Sequence, residues 1–80
     1  IVDASVLLTE IENILNLKFS DKEKKEIDTI GGLVFYIAGK IPSTFELFRH
    51  KKGITFEILE ASERRINKIK IMYHNREKLS

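Results

Sequence analysis

The chain has 80 residues, of which 42% are hydrophobic and 32% charged, and it contains no cysteine. Because a domain usually takes roughly 100–200 residues, this length excludes a second large domain, and the apolar content excludes an intrinsically disordered chain. The lack of cysteine excludes disulfides, thiolate metal sites and a cysteine nucleophile. We therefore expect one small domain over residues 1–80.

The charges are unevenly distributed along the chain. Residues 1–48 carry five basic and eight acidic side chains, whereas residues 49–80 carry nine basic and four acidic ones, for a net charge of +2. Such asymmetry is typical of a surface that meets an anionic partner, or of strands whose solvent faces carry Lys and Arg.

The ends of the chain and its most apolar run bear on membrane insertion. Residue 1 is Ile and the only methionine is Met72, so we expect a fragment of a longer chain. The apolar run Ile30–Gly39 has ten residues, against the roughly 20 that span a bilayer, and no secretory signal opens the chain. We expect no membrane-spanning segment here.

Two helices are predicted before residue 40. After a strand at residues 1–6, Thr9 and Glu12 have the spacing of a capping box and predict a short helix that ends near Asn16. Ser20 and Glu23 repeat that spacing, but few apolar residues follow, so a single turn or a loop is expected there.

The second predicted helix begins near Asp28, whose carboxylate is expected to cap the amides of Ile30 and Gly31. Leu33, Val34 and Ile37 would then face the core. Gly39 followed by Pro42 predicts the helix end, since Gly accepts the left-handed conformation and Pro cannot extend a helix.

The last part of the chain changes to the period of strands. Residues 45–49, 54–59 and 66–73 are rich in β-branched and aromatic side chains. Gly53 predicts a turn between the first two, and Ile66, which is out of phase with Ile69, predicts a bulge near Asn67. The expected fold is α+β, a small antiparallel sheet (a three-stranded C-terminal meander plus an N-terminal strand) packed against two short helices.

Few residues suggest catalysis or metal binding. His50 and His74 are isolated and are interpreted as solvated surface residues. The acidic residues between 21 and 28 are interspersed with lysines, which favours a salt-bridged stretch over a Mg²⁺ site. Gly31-Gly32 is not part of a phosphate-binding motif and is interpreted as a packing feature. We expect a non-enzyme without a resident metal.

The basic residues of the last hairpin form the candidate interaction surface: Arg64, Arg65, Lys68 and Lys70. With neighbouring aromatic residues such a set can bind a nucleic acid, but the alternation of Lys68 and Lys70 with apolar residues is also typical of an ordinary amphipathic strand.

These motifs together resemble the CorC/HlyC transporter-associated domain. The structural motif residues that carry the resemblance lie in the helix that runs into a Gly-Lys-Ile-Pro end and in the glycine turn before the Phe-Glu strand: Asp28, Thr29, Gly32, Gly39, Pro42 and Gly53. Arg64-Arg65-Ile66 is similar to the family's last strand. The family commonly has glycines where this chain has Ala4 and Phe45, both expected in turns.

The resemblance implies a non-catalytic regulatory domain of a CorC/HlyC-type protein, of the kind associated with hemolysins and with magnesium and cobalt efflux. It implies a location on the cytoplasmic side, at the inner face of the membrane. The implied partner is the remainder of the parent chain, with a CBS pair and in some members a transmembrane domain, and self-association is expected to be weak at most.

Two alternatives from other classes stay open at this point. One is a flavin- or adenine-nucleotide-binding sensor, since the fold of the family is similar to part of certain FAD-binding domains. The other is a basic nucleic-acid-binding domain. We expect neither FAD nor a nucleic acid as a ligand, because a small sheet buries too little of a flavin dinucleotide and the overall charge surplus is small.

Overall fold

The computed structural model describes residues 1–50 and 53–73, and in them a four-stranded antiparallel sheet carries three helices. In chain order the elements are β1 (Val2–Asp3), α1 (Leu8–Leu15), α2 (Asp21–Glu26), α3 (Ile30–Ala38), β2 (Leu47–His50), β3 (Ile54–Ala61) and β4 (Ile66–Tyr73). The strand order is β1-β4-β3-β2. The α+β prediction is confirmed, with one helix more than expected.

The sheet has one covered and one open face because side chains alternate along each strand. Ile54, Phe56 and Ile58 of β3 are buried, and Ile69 of β4 joins them on the same face. Leu47 and the lysines of β4 point to the open face. The predicted three-stranded meander is therefore confirmed.

The expected bulge near Asn67 is confirmed by the pairing of β3 with β4. Glu60 is opposite Lys68 and Ala61 is opposite Ile66, so Asn67 is the extra residue of β4 and has no residue opposite it in β3. The extra residue turns Ile66 back to the covered face, where it is buried. The Asn67 carbonyl accepts a hydrogen bond from the amide of Ala4 at 2.9 Å, which extends the edge formed by β1.

Helix α1 ends as predicted but starts differently. Asn16 takes the left-handed conformation after the last turn, with φ of 54°. The predicted capping box of Thr9 and Glu12 is wrong, since Leu7 precedes the helix and no side chain caps it. The reason is a backbone contact, because the Leu8 amide donates to the Asp28 carbonyl at 2.9 Å and the helix begins there.

Helix α2 forms where only a turn or loop was expected. Ser20 accepts from the Glu23 amide at 3.1 Å, and the Glu23 carboxylate accepts from the Ser20 amide at 3.2 Å. This complete capping box satisfies two amides that a six-residue helix would otherwise leave free. Local capping thus compensates for the lack of buried residues in the helix.

Helix α3 supplies the largest contribution of any helix to the core, with Ile30, Leu33 and Val34 completely buried. Ile37 was expected among them but is 36% exposed, so that part of the prediction is wrong. The cap is also different from the prediction. Thr29 accepts from the Gly32 amide at 3.1 Å, whereas Asp28 lies one residue too early to do so.

The glycines at the ends of α3 and of the β2–β3 turn are confirmed in left-handed conformations, with φ of 76° at Gly39 and 83° at Gly53. Pro42 is buried in the loop that follows the helix. At the start of the helix, a Cβ on Gly31 would lie 2.8 Å from the Cβ of Ala4. This close approach is to the segment after β1 and not to the centre of the sheet.

Candidate functional site

The turn between β3 and β4 lies beside the start of α3 and the segment after β1, and together they form an open groove of about 690 Å³. We call it the arginine groove, and its walls include Asp3, Gly31, Phe35, Ile41, Arg64 and Arg65. Arg65 is held in place because its Nε donates to Asn67 Oδ1 at 3.2 Å.

Asp3 offsets part of the positive charge of the arginine groove. Its carboxylate accepts from the Ser5 amide at 2.9 Å and from the Ser5 hydroxyl at 2.7 Å. The bond from the Ser5 amide is the main reason that the pKa of Asp3 lies below its usual value. The carboxylate is therefore ionised and offsets part of the positive charge of Arg64 and Arg65, so the groove keeps two cations against one anion.

The start of α3 offers no free amides to a phosphate. The amides of Ile30 and Gly31 donate to the carbonyls of Val6 and Ala4, each at 2.9 Å. The next two amides, of Gly32 and Leu33, donate to the side chain and the carbonyl of Thr29. A flavin dinucleotide needs a site for its pyrophosphate, and a helix start with all of these donors engaged does not fit one.

A second groove lies on the opposite flank of α3 and has a volume of about 610 Å³. We call it the acidic groove, and its lining includes Glu26, Asp28, Gly32, Phe35 and Tyr36. Phe35 lines both grooves and so stands between them. Phe35 is 46% exposed and Tyr36 60% exposed, and we call the pair the aromatic ridge.

The four predicted interaction residues divide between two adjoining surfaces. Arg64 and Arg65 lie in the arginine groove, whereas Lys68 and Lys70 lie on the open face of the sheet. There Lys68 is paired with Glu60 on one side and Asp3 on the other, and Lys70 is paired with Glu57. Acidic residues therefore interrupt the track of positive charge that a nucleic-acid backbone would follow.

His50 is not the solvated residue that the sequence suggested, since it is 7% exposed. Its Nε2 lies 2.9 Å from Glu23 Oε2, and its ring packs edge-on against Phe19 with the centroids 5.5 Å apart. The cause is its position in β2, where it follows Phe48 by two residues and so shares the covered face. That spacing was the signal in the sequence that would have placed it.

Two carboxylates of the first half are held by specific donors. Partial burial opposes the ionisation of Glu23, but the bonds from His50 and from the Ser20 amide outweigh it and lower its pKa. Glu12 accepts from the Phe19 amide at 2.8 Å and lies 3.2 Å from Lys24 Nζ. The bond from Phe19 is the main cause of its lowered pKa.

The acidic stretch shows the salt-bridged character that was expected. Its Lys24 forms a salt bridge with Glu12 of α1, and its Glu23 is hydrogen-bonded to His50. Within residues 1–50 and 53–73, no three side chains of His, Cys, Asp or Glu come together as a group that could hold a metal ion. His74 lies outside the described residues.

The helices of this part of the chain are short. The longest, α3, has nine residues, and no helix among the described residues has the length and hydropathy required to cross a bilayer.

Comparisons with known proteins identify relatives over most of the chain. A Rickettsia bellii protein named "Possible hemolysin C" is 32% identical over 75 residues, which cover 94% of this chain and 25% of that protein. The chain thus spans about a quarter of the length of this curated relative.

Solved structures share the fold. The transporter associated domain from a CBS domain protein of Porphyromonas gingivalis matches with a TM-score of 0.76 and 23% identity, covering 91% of this chain and 85% of that one. The domain from a Xylella fastidiosa hemolysin, described in complex with Mg²⁺ and Mn²⁺, matches with a TM-score of 0.76 and 23% identity, covering 92% and 85%.

A family model decides the assignment. It matches residues 1–74 and is described as a transporter associated domain. The match takes in α3 with its glycine end, the meander and the Arg64-Arg65 turn, which are the segments that carried the resemblance in the sequence. The chain belongs to the CorC_HlyC family of transporter-associated domains.

Proposed function

We propose that the chain is a non-catalytic accessory domain that regulates a CorC/HlyC-type parent protein through protein contacts, on the cytoplasmic side at the inner face of the membrane. Membership of the family supports a role beside a transporter or hemolysin-like protein. The Porphyromonas gingivalis relative is part of a CBS domain protein, which supports a CBS pair as the neighbour in the parent chain.

The observation that carries this proposal is the aromatic ridge between two oppositely charged grooves. Neighbouring aromatic side chains on a helix that already buries its other face have no role in the core, and contiguous apolar surface marks contact sites. Phe35 and Tyr36 together with charged rims have the composition of a protein interface, which combines an apolar centre with a polar edge.

The open face of the sheet is the second surface available for contacts with the parent chain. It carries Lys68 and Lys70 between acidic neighbours, and Leu47 adds an exposed apolar side chain. A mixed surface of this kind suits a module that the parent chain keeps nearby, because linkage in one chain supplies a high effective concentration and a weak contact is sufficient.

A ligand sensor is the second candidate function, and the metal ions in the Xylella fastidiosa relative favour it. In this chain the acidic stretch would have to hold the ion. Of its four carboxylates Glu23 is engaged with His50, which leaves Asp21, Glu26 and Asp28 exposed, and of these Glu26 and Asp28 share the acidic groove. Two carboxylates bind a hydrated Mg²⁺ only weakly.

Calorimetric titration of the purified 80-residue domain with Mg²⁺, FAD and ATP, each separately, distinguishes the two functions. The contact domain is expected to show no stoichiometric heat with any of the three. Stoichiometric binding with a micromolar Kd would overturn the proposal in favour of a sensor. A variant with Glu26→Gln and Asp28→Asn then serves as the control for Mg²⁺, because it removes both carboxylates of the acidic groove.

A further inference from the structure

The surface beside α3 is positively charged at one groove and negatively charged at the other. The arginine groove presents Arg64 and Arg65 on one flank, and the acidic groove presents Glu26 and Asp28 on the other. All four side chains belong to exposed residues. Asp3 on the first flank offsets only one of the two arginine charges, and beyond Glu26 the charges of Lys22 and Glu23 offset each other, so the first flank stays net positive and the second net negative.

Such a surface is complementary to itself under one particular symmetry. Consider a two-fold axis that lies in the contact plane and runs parallel to α3. Rotation about it places the aromatic ridge of one copy against the aromatic ridge of the other and puts the two flanks of the second copy in reversed order. The arginine flank of each copy then faces the acidic flank of the other. A two-fold axis perpendicular to α3 in the same plane would instead place arginines on arginines.

We propose that the aromatic ridge is the contact between two copies of this domain, with Phe35 and Tyr36 at its centre. Arg64 and Arg65 of each copy lie against Glu26 and Asp28 of the other copy. The apolar centre supplies the driving force, and the flanking charges fix the orientation of the two copies and exclude the alternative one.

This inference rests on the proposed function, because each copy is taken to belong to a parent chain. The protein that contacts the aromatic ridge is then a second copy of this domain. Arg64 and Arg65 contact that copy, and the open face with Lys68 and Lys70 is left for the rest of the parent chain. The two surfaces adjoin at Asp3, which lines the arginine groove and is opposite Lys68 in the sheet.

Sedimentation velocity over a range of domain concentrations tests the inference by charge exchange. One variant carries Arg64→Glu with Arg65→Glu, and its two flanks are both acidic. The other carries Glu26→Lys with Asp28→Lys, and its two flanks are both basic. The wild-type domain is expected to dimerise at high micromolar concentration, each variant alone to dimerise at least tenfold more weakly, and their equimolar mixture to recover a dimer.

The design contains controls for folding and for non-specific charge effects. Recovery in the mixture shows that both variants are folded, and Arg49→Glu on the open face changes the charge without touching the ridge. A wild-type domain that stays monomeric at millimolar concentration would overturn the inference, and so would a dimer that the mixture does not restore. Either result leaves the proposed function to its own test, since ligand titration measures a different property.

Discussion

At the scale of single residues, Phe45 has the backbone conformation that least suits its side chain. Its φ is 71°, in the left-handed region that favours glycine, and its side chain is 70% exposed. The turn adopts this conformation although the residue is not a glycine. The amide of Phe45 donates to the Ile58 carbonyl, and this bond holds the turn to β3.

Replacing Phe45 by glycine is expected to stabilise the domain relative to replacing it by alanine. Both changes remove the same exposed ring, but only glycine relieves the strain of the left-handed conformation. That strain is worth about 1–2 kcal/mol and is offset in part by the chain entropy of glycine, about 0.5–1 kcal/mol. Thermal unfolding of the two variants measures the difference. A Phe45→Ala variant at least as stable as Phe45→Gly would contradict the backbone assignment.

The carboxylate of Glu12 makes stability depend on pH. Its pKa is lowered in the folded protein, so its contribution is fully present above its ordinary value of 4.5 and is lost as the pH falls through the folded-state value below that. Glu12→Gln is expected to be less stable than the wild type at pH 7, and this gap should close on acidification below pH 4.5.

Chemical denaturation of both proteins between pH 7 and pH 3 measures that gap. The matched control is Glu10→Gln, because Glu10 is exposed on the same helix and its carboxylate forms no hydrogen bond or ion pair with the described residues. A gap between Glu12→Gln and the wild type that stays constant over the whole range would rule out the charged bond to Phe19 as its source.

Local spacing predicted the left-handed glycines but not the partners of the polar side chains. Gly39 could be placed because a glycine after an apolar run has one common use. Glu12 and Glu23 have the same spacing from a Ser or Thr, yet only Glu23 forms the capping box, since Glu12 is drawn to the Phe19 amide instead. That competing donor is seven residues away and becomes a neighbour only when the loop after α1 has folded back.

At the scale of elements, α3 links the sheet to the rest of the molecule. Leu33 is completely buried on its inner side, and Tyr36 is exposed on the outer side of the same helix. Leu33→Ala is expected to destabilise the domain by about 2–5 kcal/mol, as large-to-small core changes do, whereas Tyr36→Ala should cost far less. Unfolding midpoints in urea compare the two variants, and equal midpoints would refute the packing of α3 on the sheet.

The end of α3 depends on the conformation of Gly39. A side chain there meets nothing within 4 Å, so any cost of substitution comes from the backbone alone. Gly39→Val is expected to destabilise by more than about 1 kcal/mol, because a β-branched residue is strained at positive φ. Gly39→Asn, which tolerates this region, should lose less. If thermal unfolding ranked the two variants in the reverse order, the helix end would be misassigned.

The strands and α3 could be predicted because their periodicity and stop signals agree. Helix α2 could not, since it has no buried residue and its hydrophobic pattern is that of a loop. Its capping box was visible in the sequence, but whether two side-chain bonds suffice for six residues depends on tertiary neighbours. His50 of β2 supplies one such neighbour through its contact with Glu23.

At the scale of the whole molecule, folding gathers charges that are distant in sequence and separates charges that are close. Arg65 and Lys68 are three residues apart, yet one lines the arginine groove and the other lies on the open face. The bulge at Asn67 between them causes this separation. The sequence therefore indicated a basic hairpin correctly, but it could not show that the basic residues of the hairpin lie on two different surfaces.

The central claim is that this domain works by contact with the chain to which it belongs, and site-specific cross-linking in the full-length parent protein tests it most directly. A photoreactive phenylalanine analogue replaces Leu47 on the open face or, as the control, Ile14 on the exposed side of α1. Mass spectrometry then identifies the cross-linked peptides. The account predicts that position 47 cross-links to parent-chain segments outside this domain and that position 14 does not. Equal cross-linking from both positions, or none from position 47, would contradict it.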